Sequence, residues 1–253
     1  MARFTLATAT EQGTERSVNQ DRVHAQMCGD TVALAIIADG LGSYAASAEA
    51  SATACQIIMD TIGGAAAGSE KLPGRRALVD AINAANLALW QRALDTQIAL
   101  KTTLTVLMCT PSVAFVGHVG DCRVYLTRAG TTRQVTRDHS LSGSRPFGWL
   151  GNPLRRLAPT AHASTRHVLH RVLGDHPIVK VDIDEIALQS GDRFVLCCDG
   201  VWGALTEDVM LAALLRSPMP DDEHAKYLIA LARTHGSTDD ASTITMQVDE
   251  IAV

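Results

Sequence analysis

Two stretches, Ala35-Ile36-Ile37-Ala38-Asp39-Gly40 and Val195-Leu196-Cys197-Cys198-Asp199-Gly200, are apolar runs that each end in an aspartate followed by a glycine. Such runs suit strands buried on both faces, here Val32 to Ala38 and Arg193 to Cys198, each feeding a turn. A carboxylate at the lip of a buried strand costs several kcal/mol of desolvation unless its charge finds a partner. A cation is one such partner, and the glycine lets the backbone approach closely enough for a carbonyl oxygen to face it too. Two further acidic sites lie in turn-like surroundings: Asp121 in Val119-Gly120-Asp121-Cys122-Arg123, and Asp239-Asp240 in Gly236-Ser237-Thr238-Asp239-Asp240-Ala241. Oxygen donors select hard ions, Mg²⁺ or Mn²⁺, over zinc. Any one Asp-Gly is an ordinary turn. Four acidic sites far apart in the chain could converge at one edge of a pair of sheets.

Outward from these runs, an opening strand leads into a polar loop over Glu11 to Arg22. Ala45 to Thr61, rich in Ala and Ser, predicts a helix, which the four glycines and the proline over Gly63 to Gly74 separate from a second over Arg75 to Thr96. Thr102 to Val135 predicts an antiparallel meander, and Leu141 to Ala161 an irregular surface excursion punctuated by Gly and Pro. A short helix around Arg166 to Leu173 follows, then strands at Lys180 to Ala187 and Arg193 to Cys198. Helices at Glu207 to Arg216 and Glu223 to Thr234 and a strand at Thr243 to Val248 complete the chain. Strands and helices come in blocks, which favours α+β with antiparallel sheets over a doubly wound parallel sheet.

The 253 residues, 47% hydrophobic, are enough for one domain over 1–253. A net charge of -5 with scattered basic residues gives no footprint for nucleic acid or an anionic membrane. No apolar run approaches the roughly 20 residues that cross a bilayer, and the first eight residues lack a secretory apolar stretch, so a cytoplasmic protein is expected. The six cysteines have neither C-x-x-C nor zinc-ligand spacing and read as reduced core residues.

Read in order, the segments resemble the metal-dependent protein phosphatases of type 2C, the PPM family, in its bacterial form. Gly13-Thr14-Glu15-Arg16-Ser17-Val18-Asn19-Gln20-Asp21 is similar to the G-x-x-R-x-x-N-Q/E-D opening, and Asp39-Gly40-Leu41-Gly42 to D-G-M-G. Thr102-Thr103 resembles the G-T-T strand start, Val119 to Arg123 resembles V-G-D-S-R, and Gln134 to Leu141 resembles L-T-x-D-H-S-L. His167 to Gly174 is similar to N-V-L-T-R-A-L-G, Ser190 to Trp202 to G-D-x-x-L-L-C-S-D-G-L-W, and Ser237 to Ser242 to S-x-D-N-x-T. The matches span nearly the whole chain.

The resemblance implies a four-layer αββα sandwich with two divalent cations at one end. By position, Asp39 would bridge both ions, the Gly40 carbonyl would bind one, and Asp199 and Asp239 the other. Asp21 would sit beside them as a ligand or holding a water. Asp121 is the candidate ligand for a third ion, and Arg16 would grip the substrate phosphate as a fork. The implied reaction is hydrolysis of phosphoserine and phosphothreonine in proteins by direct attack of a water between the ions, without a phosphoenzyme. The implied partner is a phosphorylated protein, with the enzyme, a monomer, opposing a Ser/Thr kinase. The leaving-group acid stays open between a water and His139. A non-catalytic phosphoprotein-binding relative is the alternative, and a phosphatase of a small metabolite a third reading.

Several positions depart from the pattern. The family's His after D-G is missing from Gly42-Ser43-Tyr44-Ala45, Lys101 stands for Gly, Cys198 for Ser, and Asp240 for Asn. Asp240 either adds negative charge beside the ions or faces solvent. The segment 141–161, with Arg145, Phe147, Trp149, Arg155 and Arg156, either selects peptides or is merely a solvated loop. His167 and His170, at i, i+3 spacing without a third ligand, read as structural.

Overall fold

The computed structural model describes residues 2–68, 72–140, 168–215 and 221–251. The expected excursion over 141–161 lies outside these residues, as does His167. Among these residues eleven strands form two antiparallel sheets. One runs in the order β1 (Arg3–Glu11), β11 (Ala241–Glu250), β10 (Arg193–Cys197), β7 (Arg123–Arg128), β8 (Thr131–Gln134). The other runs β2 (Asp21–Cys28), β3 (Val32–Leu41), β5 (Leu104–Cys109), β6 (Val113–Val119), β9 (Asp182–Ala187), and the short β4 (Lys101–Thr102) pairs with the end of β3.

The period of two in β3 explains the layering. Ala33, Ala35 and Ile37 enter a core shared with Val124, Leu196, Ile244 and Met246 of the other sheet. Leu34, Ile36 and Ala38 point the opposite way, onto Ala50, Ala54 and Ile58 of α1 (Tyr44–Ile58) and Leu78, Ile82 and Leu89 of α3 (Arg75–Thr96). A strand covered on both faces is apolar throughout, as its sequence indicates. The far side of the first sheet is covered by α6 (Asp221–Thr234), where the Thr243 hydroxyl donates to the carbonyl of Ala225. With α5 (Glu207–Leu215), this is the expected αββα sandwich. All six cysteines are buried and free.

The structure corrects five local expectations. The loop expected through Arg22 gives way at Asp21 to β2, whose alternating Val23 and Ala25 face the inter-sheet core. Helix continues past Gly63 and Gly64, through a π turn at Met59–Gly63 and α2 (Gly64–Gly68). Thr102 to Val135 is not one meander: β5 and β6 belong to one sheet, β7 and β8 to the other, and Gly120-Asp121 is the crossover. Strand β3 does not stop at Asp39, because Gly40 and Leu41 pair with Thr102 and Lys101. Over residues 168–173 there is no helix: Leu173 exchanges backbone hydrogen bonds with Thr102, at 2.9 and 3.3 Å, so tertiary pairing overrides a helix-like pattern.

Candidate metal centre

The topology carries the predicted acids to one end of both sheets. Asp21, the first residue of β2, stands opposite Asp39 across the β2–β3 ladder. In the other sheet, Cys197 is paired with Thr243 and with Arg123, so the end of β10 lies beside the starts of β11 and β7. Asp199, just past β10, opens the short helix α4 (Asp199–Trp202); Asp239 precedes β11, and Asp121 precedes β7.

These carboxylates sense one another. Asp39 is pushed well above the usual carboxylate range, first by loss of water and then by the charges of Asp21, Asp199, Asp121 and Asp239. Asp21 is only 2% exposed, and neither of its carboxylate oxygens has a hydrogen-bond partner. Burial raises it to about 7, the nearby Ser242 and Cys198 pull it back, and Asp199 and Asp240 push it further up. Unpartnered buried oxygens beside other carboxylates suit a hard divalent cation better than any neutral partner. Among the described residues no three His, Cys, Asp or Glu side chains form a ready-made ligand cluster.

The backbone around them is closely held. The N–H of Asp39 donates to the Thr103 hydroxyl at 2.9 Å, and its carbonyl accepts from the Thr103 N–H and the Thr102 hydroxyl, both at 2.8 Å. A Cβ on Gly40 would stand 2.2 Å from the Ser47 carbonyl oxygen, and one on Gly200 would stand 1.9 Å from that of Asp240. Each glycine after an aspartate therefore lets a second backbone pass against the site. The Trp202 indole N–H donates to the carbonyl of Asp121 at 3.0 Å.

Arg16 reaches the same end and donates to Oδ1 of Asp239 through Nε at 2.9 Å and Nη2 at 2.7 Å, and to Gln20 through Nη1. Asp240 does not face solvent, and its charge acts on Asp21 and Arg16. It is 4% exposed, and its carboxylate accepts the backbone N–H groups of Gly13 and Gln20 at 2.7 and 2.8 Å, tying the loop of Arg16 to the start of β11. His139 is 3% exposed with both ring nitrogens engaged, which suits a structural part better than proton delivery. His170 donates its backbone N–H to the carbonyl of His139, and its ring lies 5.9 Å from that of His139.

The sequence reading missed Arg233, whose guanidinium donates to the carbonyls of Asp239, Ser237 and Gln12 and so holds the Asp239 loop. Its only signal was a basic residue in the last turn of a helix, a common feature. Thr103 had a clearer signal, since the quoted Thr-Thr pair places a hydroxyl beside Asp39.

The model of the protein phosphatase 2C family matches residues 10–237. The serine/threonine phosphatase stp of Listeria monocytogenes is 26% identical over 251 residues, 95% of this chain and 94% of that protein. The serine/threonine protein phosphatase PstP of Mycobacterium tuberculosis is 29% identical over 257 residues, 98% of this chain, which spans only 46% of that longer protein. A crystal structure of the PstP catalytic domain in complex with 2 manganese ions is 25% identical, with a TM-score of 0.80, and covers 99% of this chain and 100% of that one. The PPM phosphatase MsPP from Mycobacterium smegmatis, crystallised with cacodylate, is 30% identical at a TM-score of 0.76, covering 96% of this chain and 98% of its own.

Proposed function

The chain belongs to the protein phosphatase 2C family, and from that premise we propose that it is a metal-dependent protein serine/threonine phosphatase. The observation that carries this reading is that Asp21 stands opposite Asp39 across the β2–β3 ladder while Asp121, Asp199 and Asp239, beside strand ends of the other sheet, lie near enough for their charges to act on Asp39.

In this reading Asp39 and the Gly40 carbonyl face two divalent cations, Mn²⁺ or Mg²⁺, with Asp199 and Asp239 completing the set and Asp21 a ligand or the anchor of a water. Asp121 serves a third ion. When bound, the cations supply Lewis acidity that activates a water near neutral pH and offsets charge on the phosphoryl oxygens. Arg16 holds the phosphate by a planar fork that Lys lacks. Thr103 and Thr102 fix the backbone of Asp39, and Asp240 fixes the loop that presents Arg16. These prior constraints reduce the reorganisation required as charge develops in transfer. The substrates are phosphoserine and phosphothreonine in proteins, and the enzyme opposes a Ser/Thr kinase as a cytoplasmic monomer. Among the described residues no helix is long and apolar enough to cross a membrane.

The alternative of a non-catalytic phosphoprotein-binding relative is disfavoured by the acids themselves, since a binding module gains nothing from a complete set of mutually repelling carboxylates. The test is hydrolysis of an aryl phosphate and of phosphothreonine peptide with Mn²⁺ or with EDTA. Activity should require Mn²⁺ and be nearly abolished by Asp39→Asn or Asp199→Asn. Full activity in EDTA, or in Asp199→Asn, refutes the proposal.

A further inference from the structure

The crossover Gly120-Asp121 is the one place where a predicted ligand sits between the two sheets instead of at the end of a ladder, so no strand pairing sets its direction. Gly120 has φ +118, a conformation that side chains rarely adopt, and a Cβ there would come within 2.5 Å of Thr103. Its polar groups are held by one residue. The Gly120 N–H donates to Nδ1 of His139 at 3.0 Å, and the His139 N–H donates to the Gly120 carbonyl at 2.7 Å.

A backbone amide can only donate, so Nδ1 of His139 carries the lone pair and the neutral ring bears its proton on Nε2. That proton points at Oδ2 of Asp182, 3.1 Å away. Arg171 donates to the other oxygen of Asp182 at 2.7 Å; its Nη1 also lies 2.9 Å from Nε2, but two donors cannot bond, so in this tautomer Asp182 takes a proton from each of them. The ring of His118, 4.7 Å away, packs beside it, and its own Nδ1 is occupied by the Thr105 hydroxyl. A carboxylate that fixes the tautomer of a histidine, which in turn fixes a turn, is the arrangement by which outer residues orient metal ligands.

We propose that His139 is a positioning residue: through its Nδ1 lone pair it holds the Gly120 amide and thereby sets the direction in which the Asp121 carboxylate meets a divalent cation. Asp182 locks the required tautomer. The inference rests on the reading of Asp121 as a ligand for a third ion, and the test keeps the two apart.

Mn²⁺ binding to the full chain is measured by titration calorimetry for the wild type, Asp121→Asn, His139→Ala, His139→Asn and His139→Gln, alongside kcat at saturating Mn²⁺. Asn places an amide oxygen where Nδ1 stands, whereas Gln places one near Nε2. His139→Ala and His139→Gln should weaken the last Mn²⁺ step about tenfold or more, leave the first steps and the kcat at saturation nearly unchanged, and be rescued by His139→Asn to within about threefold of wild type. If His139→Ala does not fold, the contrast between Asn and Gln carries the test. Equal behaviour of Asn and Gln overturns the inference. Loss of the last ion in Asp121→Asn with normal binding in His139→Ala overturns the inference and spares the reading of Asp121. Unchanged binding in Asp121→Asn overturns that reading, and the inference with it.

Discussion

Arg16 and Asp239 hold each other through a single oxygen: Oδ1 of the aspartate lies 2.9 Å from Nε and 2.7 Å from Nη2 of the arginine. The residue proposed to grip phosphate and a residue proposed to bind metal are thus partners of one another. Both side chains are about a third exposed or more, at 32% and 41%, so solvent weakens the pair and leaves it easy to exchange for stronger partners.

Replacing Arg16 by Ala removes the fork and frees Asp239. The KM for a phosphothreonine peptide should rise about tenfold or more, the loss of one charge-assisted pair, while Mn²⁺ affinity holds or improves. Arg16→Lys should recover little, because an ammonium cannot form the fork. Steady-state kinetics and calorimetry read the two effects separately; a weakened Mn²⁺ affinity with an unchanged KM would contradict the assignment.

Asp240 carries a stability prediction. Its buried carboxylate satisfies two backbone amides, Gly13 and Gln20, which Asp240→Ala would leave without acceptors. Two hydrogen bonds to a charged group set the cost at about 3–6 kcal/mol. Asp240→Asn keeps one acceptor and turns an NH₂ toward the other amide, so it should lose roughly half as much. Urea denaturation checks both, and a wild-type midpoint for Asp240→Ala would show that the clamp contributes nothing.

The sandwich was legible because Val32 to Ala38 is apolar at every position, which only a strand covered on both faces requires. The acids were legible because each follows such a strand or stands in a turn with a quotable motif. Strand β2 was not: Arg22, His24 and Gln26 masked the alternation of Val23 and Ala25. The crossover between sheets at Gly120-Asp121 was hidden as well, since local pattern cannot tell a turn within a sheet from a passage between two. Asp182 and Arg233 act through partners distant in sequence or through main-chain carbonyls, and neither leaves a periodic trace.

The glycine after Asp199 makes a third prediction. A methyl at Gly200 would meet the Asp240 carbonyl oxygen at 1.9 Å, and that oxygen belongs to backbone that cannot turn aside. Gly200→Ala should therefore destabilise by about 3 kcal/mol or more and disturb Mn²⁺ binding as β11 shifts. Gly64→Ala is the contrast: its Cβ would meet nothing within 4 Å in helical backbone at φ -62, so a gain of about 0.5–1 kcal/mol is expected. Similar melting temperatures for the two variants would refute the close-approach argument.

The last prediction concerns pH. His118 is 2% exposed with Nε2 buried and unpartnered, and burial, then the neighbouring His139, lower its pKa to about 3. The folded protein refuses a proton that the unfolded chain accepts below about 6.5. Stability from this group is complete above that value and falls as the pH drops toward about 3, because the unfolded state binds more protons throughout the window. Between pH 7 and 5 the loss should be about 2 kcal/mol. His118→Asn keeps an acceptor for the Thr105 hydroxyl but does not titrate, so its unfolding free energy should fall less steeply over that interval. Comparing slopes cancels any constant loss from the smaller side chain. Parallel slopes in the two proteins would show that His118 takes up its proton equally well folded or unfolded.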